Sequence, residues 1–398
     1  MPRRVATVPL LGAGLLVLAF SACRYNPEST ALAGPGWPAE TWPVSTPAAE
    51  GFDPDSLAAI EADVAAGVYG SVDHFLLIRN GRAVIDTHYD RTYTLPSDAP
   101  DTTDHPYNYS HPNWHPYYHG SDLHTLQSVT KSVNSAALGI AIDAGLIPGV
   151  ESPVMPYLQA YSPDVSDPRK AAMTIEDLLT MRSGIDWYTE GGYGNTDHST
   201  IVMELSDEWI RYIIGRPMDA EPGTVYEYND GASVLLGKII TEATGMRADL
   251  WAAERLFKPI GITEHYWKIT PDGETDTEGG LYLKTHDLAR IGYLFLRGGE
   301  WEGKQIVSKA WVDKSTAPVV ADIAPANEQV NLGYGYQWWV PDQENGRATV
   351  FAGNGYGGQF VLVAPDYDIV AVFNAWDIDA PRTTWRLLQD RILPSTRR

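Results

Sequence analysis

Strand-like runs stand at both ends of this chain, with a long stretch patterned as helix between them, and that arrangement leaves few ways to build a buried sheet. Near the start come His74-Phe75-Leu76-Leu77-Ile78, a turn at Asn80-Gly81, and Ala83-Val84-Ile85. Asn-Gly between apolar runs marks a tight hairpin, because both residues tolerate positive φ. Just before it, Leu57, Ile60 and Val64 recur at the spacing of an amphipathic helix. Near the end come Thr349-Val350-Phe351, Gln359-Phe360-Val361-Leu362-Val363 and Ile369-Val370-Ala371-Val372-Phe373, with a final helix expected over 382–392. Residues 125–297 are mostly helical in pattern, as in Ile175-Glu176-Asp177-Leu178-Leu179 and over 232–242. The simplest fold is therefore α/β (α+β): the terminal runs pair in one antiparallel β-sheet flanked by helices, with a mostly helical subdomain inserted. A crevice between sheet and insert is the natural pocket.

Charge narrows the partners. The 398 residues hold 29 Lys+Arg against 51 Asp+Glu, a formal charge of −22, and such a field repels nucleic acid and anionic membrane surfaces. Arg3 and Arg4 followed by an apolar stretch over 10–20 read as an export signal, too short to span a bilayer. Cys23, the only cysteine, follows in Phe20-Ser21-Ala22-Cys23, so no intramolecular disulfide can form. That segment resembles a bacterial lipobox, which implies lipidation at Cys23 and a membrane anchor; simple cleavage at the small residues is the alternative. Residues 1–23 are thus expected to be signal, and 24–50, with five prolines, a semi-extended linker. Residues 51–398 form the folded domain.

Ser128-Val129-Thr130-Lys131 opens a helical pattern (Val133, Ala136, Ala137, Ile140, Ala141) that Gly145 is placed to stop. Spacing of three puts Ser128 and Lys131 on one face. A serine hydroxyl is a poor nucleophile until a base takes its proton, and a lysine can serve if burial and the positive end of a helix favour its neutral amine. The helix start also offers backbone N–H groups to an oxyanion formed at Ser128. Alone the pattern is weak, since a Ser-x-x-Lys occurs readily by chance, and an ordinary helix start with a solvated lysine is the plainer reading.

Further blocks follow in order: Asp177-Leu178-Leu179-Thr180-Met181-Arg182-Ser183-Gly184, Pro222-Gly223-Thr224 to Tyr228, Leu235-Leu236-Gly237, Gly279-Gly280-Leu281-Tyr282, Asp287-Leu288-Ala289-Arg290-Ile291-Gly292 and Tyr334-Gly335-Tyr336-Gln337-Trp338-Trp339. With the Ser128 helix, this collinear set resembles the class C β-lactamase-like serine hydrolases, a group that includes penicillin-binding esterases, D-aminopeptidases and 6-aminohexanoate-dimer hydrolases. The resemblance implies a β-lactamase/transpeptidase-like fold and acyl-enzyme chemistry on small ester or amide substrates, with no metal or organic cofactor. In its Tyr-x-Asn motif the tyrosine shuttles protons, a role that falls to Tyr228. Asp230 stands where the amide would be and can only accept hydrogen bonds when ionised, so substrate recognition there is altered. The third motif, Lys-Thr-Gly or His-x-Gly, is matched by Gly353-Asn354-Gly355 without its cation, which argues against carboxylate-bearing lactams. Asn354 and Gly355 are the substrate-binding candidates there. By analogy the backbone N–H of Tyr356 joins that of Ser128 as oxyanion hole. The Gly357-Gly358-Gln359 ending is similar to the 6-aminohexanoate-dimer-hydrolase-like branch.

A rival from another class remains: a non-catalytic binding or cell-envelope assembly protein that keeps the fold. The presence of Ser128, Lys131 and Tyr228 speaks for the enzyme, since the departures fall on groups that orient substrate. Five histidines between 105 and 124 raise a metal site, but Pro112 and Pro116 break any helix that could align them and no ligand motif is complete. The aromatic residues of that loop, Tyr109 among them, are candidates for a pocket rim.

Overall fold

The hairpin at the start of the chain and the strands at its end meet in the middle of one sheet. In the computed structural model, residues 36–93, 103–323, 332–341, 349–378 and 385–397 are described. Their strands in chain order are β1 (Val72–Arg79), β2 (Arg82–His88), β3 (His124–Thr125), β4 (Tyr266–Trp267), β5 (Leu281–Leu283), β6 (Glu300–Trp301), β7 (Lys304–Gln305), β8 (Leu332–Tyr334), β9 (Trp339–Pro341), β10 (Phe351–Gly355), β11 (Gln359–Ala364) and β12 (Ile369–Ala375). Seven of them form a sheet in the order β2-β1-β12-β11-β10-β9-β8, antiparallel at every pairing. Phe75 faces Phe373 across the β1–β12 pair, and their rings stack at 4.5 Å. Asn80 and Gly81 take φ of 54° and 72°, the left-handed pair that a two-residue hairpin turn requires.

Alternation along β1 sends its side chains to two cores. Phe75 and Leu77 pack with Leu57, Ile60 and Val64 of the helix Pro54–Ala65 and with Leu388 and Ile392 near the C-terminus. Leu76 and Ile78 face a larger core shared with the inserted helices. At the centre of that core lies the helix Val129–Asp143, buried continuously from Val129 to Ala141. It stops where expected, with Gly145 at a φ of 71°. The insert is mostly helical, but it also holds a small sheet, β3-β5-β4, that ties the chain before Ser128 to the strand after Gly280.

The expected linker needs correction over its described part. Trp42 is buried and donates its indole N–H to the His286 carbonyl at 3.2 Å, and Trp37 and Trp42 both pack edge-on against Tyr293. Large apolar surface draws this proline-rich stretch onto the body from Gly36 onward. The signal stretch and Cys23 lie outside the described residues. All described residues belong to one compact unit, Pro35–Arg398. Among them, no helix is long and apolar enough to cross a membrane. The final helix is present as Trp385–Leu387, running into a wider turn over Leu388–Ile392.

Candidate active site

Ser128 stands at the N-cap of the helix Val129–Asp143, directly after Gln127 at a φ of 47°. A non-glycine residue in the left-handed region costs on the order of 1 kcal/mol or more, and it persists only where its surroundings impose it. β10 is part of that frame. A Cβ added at Gly355 would collide with the Leu126 carbonyl oxygen and come 3.2 Å from the Gln127 Cβ, and one at Gly353 would come 2.9 Å from a Val129 methyl. Glycine at both positions lets the third-motif strand lie directly on the serine turn.

Lys131 is buried, with its Nζ donating to Ser128 Oγ at 2.9 Å and to the Glu278 carbonyl at 2.7 Å. The Asp230 carboxylate lies 2.7 Å away and that of Glu278 3.5 Å away. Burial alone pulls the Lys131 ammonium down, but Asp230, then Tyr228 and Glu278, more than reverse it, and the net shift is upward. The Asp230 carboxylate beside it weighs against the expected neutral amine and favours the ammonium form of Lys131, which donates to the nucleophile's oxygen. Tyr228 stacks on Trp339 at 5.7 Å, with Lys131 Nζ 5.1 Å from its ring centre. Its hydroxyl engages the side chains of Ser128 and Lys131. Burial pushes that hydroxyl up against the downward pull of Lys131, and the net is upward.

The structure moves Asp230 from the role expected of it. Instead of presenting its carboxylate to substrate, it lies buried beneath Lys131 and accepts from Thr200 Oγ1 at 2.5 Å. As the first residue of the helix Asp230–Thr244, capped by Asn229 through the Ala232 N–H at 3.0 Å, it sits where a helix dipole favours an anion. The helix Ser199–Glu204 brings Thr200 to Asp230, and one turn later it presents Glu204.

Glu204 belongs to a buried set absent from the sequence reading. Lys131 and Lys268 interact with four carboxyl groups, those of Asp230, Asp276, Glu278 and Glu204. Four acids against two cations leave a surplus of negative charge in a low-dielectric space, so protons are retained. Burial pushes the Glu204 carboxyl up to about 7 although the Tyr109 hydroxyl donates to it at 2.5 Å, and it pushes Glu278 well above the ordinary range. Lys268 lies over the rings of Tyr107, Tyr109 and Tyr282, 4.8 to 5.7 Å from their centres. Glu278 directly precedes the Gly279-Gly280 pair and was within reach of sequence reasoning; Glu204 carries no local signal.

Two adjoining cavities open on Ser128. One, of about 260 Å³, is walled by Tyr193, Tyr228, Trp339, Asn354, Gly355, Tyr356 and Phe360. The other, of about 450 Å³, is walled by Tyr109, Thr200, Glu204, Glu278, Tyr356 and Ile378. Ser128, Lys131 and Tyr228 are thus brought together, with Asn354, Gly355 and Tyr356 on the facing wall. The Tyr356 hydroxyl donates to the Ile378 carbonyl at 3.1 Å, and the residue follows β10 immediately. The aromatic loop reaches the site through Tyr109. Its histidines disperse: His115 stacks between Tyr109 and Trp376, His111 faces Asp104 at 3.7 Å, and His124 pairs with Asp73 at 3.1 Å.

A family model described as beta-lactamase matches residues 58–383. The chain is 27% identical over 293 residues to the 6-aminohexanoate-dimer hydrolase of Paenarthrobacter ureafaciens, covering 68% of this chain and 71% of that protein. It is 27% identical over 149 residues to Esterase EstB of Burkholderia gladioli, 36% of this chain and 38% of that one. The structure of a D-stereospecific amidohydrolase from Streptomyces sp. superposes with a TM-score of 0.61 at 18% identity, over 85% of this chain and 98% of that one, a likeness of fold. The chain belongs to the beta-lactamase family and is a serine hydrolase of the kind that includes esterases and amidases.

Proposed function

We propose that this chain hydrolyses small, non-anionic esters and amides through an acyl-enzyme on Ser128, with esters preferred and penicillins poor substrates. One observation carries the preference: among the described residues, those walling the two cavities include Glu204, Glu278 and Asn354 but no lysine or arginine. Among the described residues a substrate carboxylate finds no cation on these walls, and Glu204 opposes it once ionised above about 7. In the proposed reaction Ser128 Oγ attacks the carbonyl carbon as its proton passes to the Tyr228 oxygen. The acceptor is the tyrosinate form of Tyr228, which the fixed charge of Lys131 supports, and the transfer leaves Tyr228 as the neutral phenol. The backbone N–H groups of Ser128 and Tyr356 receive the oxyanion. Tyr228 returns the proton to the leaving group, and water frees the acyl group by the reverse relay. The test compares kcat/KM for p-nitrophenyl esters with that for a chromogenic cephalosporin, alongside fluorophosphonate labelling. The ester is expected to win by orders of magnitude and the label to vanish in Ser128→Ala; comparable rates sink the substrate preference, and a persistent label sinks the nucleophile.

The cellular setting rests on sequence alone. Arg3, Arg4, the apolar stretch over 10–20 and Cys23 support export to the cell envelope, periplasmic in a bacterium with two membranes, with a lipid on Cys23 as anchor. Loss of palmitate incorporation in Cys23→Ala is the expected outcome in a bacterial host, and undiminished incorporation contradicts it.

A further inference from the structure

Beside the hairpin, away from the residues that wall the catalytic cavities, two imidazoles converge on one carboxylate. His74 Nε2 lies 2.8 Å from Asp86 Oδ1, and His286 Nε2 lies 2.9 Å from Asp86 Oδ2. The three ligand atoms fall within 4.8 Å of one another, and all three side chains are partly open to solvent. The fold places them there from three elements. His74 is on β1, where it pairs with His88, and Asp86 on β2 is its diagonal neighbour, opposite Leu76. His286 opens the helix Thr285–Leu296.

The hydrogen bonds behind His74 settle which nitrogen carries its proton. The Gln359 oxygen accepts from the Ala375 backbone N–H at 3.3 Å, while its amide nitrogen donates to the Ala375 and Tyr356 carbonyls. The amide orientation of Gln359 is therefore fixed by backbone groups. Asn374 Nδ2 donates to that same oxygen at 3.4 Å, which turns the Asn374 oxygen toward Thr285. Thr285 spends its single hydroxyl proton on that oxygen at 2.8 Å. Its Oγ1 can then only accept from His74 Nδ1, 2.9 Å away. A neutral His74 so held is the Nδ1–H tautomer and aims the lone pair of Nε2 at a carboxylate oxygen. At that distance Nε2 and the carboxylate need a positive charge between them, from a second proton on the ring or from a bound cation.

We propose that His74, Asp86 and His286 form a surface site for a divalent transition metal, zinc by ligand type, with Thr285 and Asn374 as its outer hydrogen-bonded support. Two imidazoles and a carboxylate suit zinc, and an outer partner that fixes a ligand's tautomer is the usual accompaniment of such sites. Zinc bonds of roughly 2.1 Å place tetrahedral ligand atoms roughly 3.4 Å apart, so the carboxylate backs away from both rings as the ion enters. His88, whose ring centre is 5.8 Å from that of His74, lies beside the cluster. Sequence separations of twelve and two hundred residues hide the site from motif reading.

Titration calorimetry with Zn²⁺ alone on the chelator-stripped full-length chain tests this, together with the visible spectrum after adding Co²⁺. One ion per chain is expected at micromolar affinity, with cobalt bands typical of nitrogen ligation. His74→Ala, Asp86→Asn and His286→Ala should each weaken binding about tenfold or more, with His74→Gln as the variant that best preserves packing, and His111→Ala should not. The site is overturned if the wild type shows no saturable binding, leaving an ion-paired triad only. Binding that any one of the three substitutions leaves undiminished overturns it equally.

Discussion

At the scale of single residues, the chemistry turns on which oxygen can accept the serine proton. Lys131 has Asp230 and Glu278 beside it and stays charged, so Tyr228 is the acceptor that remains within reach of Ser128. That division of labour predicts a pH profile. Because the Tyr228 hydroxyl is raised above its ordinary value, kcat/KM for a neutral ester should climb with pH through neutrality and past 9, tracking the small tyrosinate fraction. A lysine base of depressed pKa would instead level off near pH 8. Tyr228→Phe should lower kcat by about 10²–10⁴-fold with little change in KM, the cost of losing a positioned proton acceptor. A profile flat from pH 6 to 9, or a Tyr228→Phe variant with near-normal kcat, would assign the base elsewhere.

At the scale of elements, the short helix Ser199–Glu204 does two jobs, holding Asp230 through Thr200 and carrying Glu204 into the larger cavity. The second has a cost that depends on pH. The unfolded chain loses the Glu204 proton near 4.5, whereas burial raises it to about 7 in the folded protein. Over that window the native state holds more protons than the unfolded state, so rising pH reduces stability, and the loss persists above pH 7. Glu204→Gln removes the titration. The variant's stability relative to wild type should improve between pH 5 and pH 8 by on the order of 2–3 kcal/mol, read from urea midpoints at the two values. An unchanged difference would show that Glu204 ionises freely. The same elements show what sequence could convey. The hairpin and the terminal strands were legible because short runs of three to five apolar residues bounded by turn residues such as Asn80-Gly81 mark strands. The strands β3 and β5, two and three residues long, have neither. The serine, lysine and tyrosine could be read from their ordered motifs, but the charge of Lys131 depends on Asp230 and Glu278, brought close only by folding. Trp37 and Trp42 lay within a stretch whose prolines dominated its reading.

At the scale of the whole molecule, the formal charge of −22 and the Glu204 carboxyl in the cavity wall, ionised above about 7, act in the same direction. A charged substrate meets the protein's long-range field first and the cavity's acids last, so sign discrimination should appear in the encounter as well as in the bound state. The two contributions separate with salt. At 0.1 M ionic strength the screening length is about 10 Å, which suppresses the distant surface charges and leaves groups inside the cavity nearly unscreened. Three acetate esters of similar size, bearing a trimethylammonium, no charge and a carboxylate, form the test series. Between about 10 mM and 500 mM salt, kcat/KM for the cationic ester should fall several-fold, that for the anionic ester should rise, and that for the neutral ester should stay level. The preference of cation over anion that survives at high salt then belongs to the cavity and, measured at pH 8, should shrink in Glu204→Gln, which removes the wall carboxyl that ionises at about 7. Equal salt dependence for all three esters would mean that the surface field does not steer substrate. A high-salt preference unchanged by Glu204→Gln would mean that the buried acids leave substrate choice to the aromatic walls.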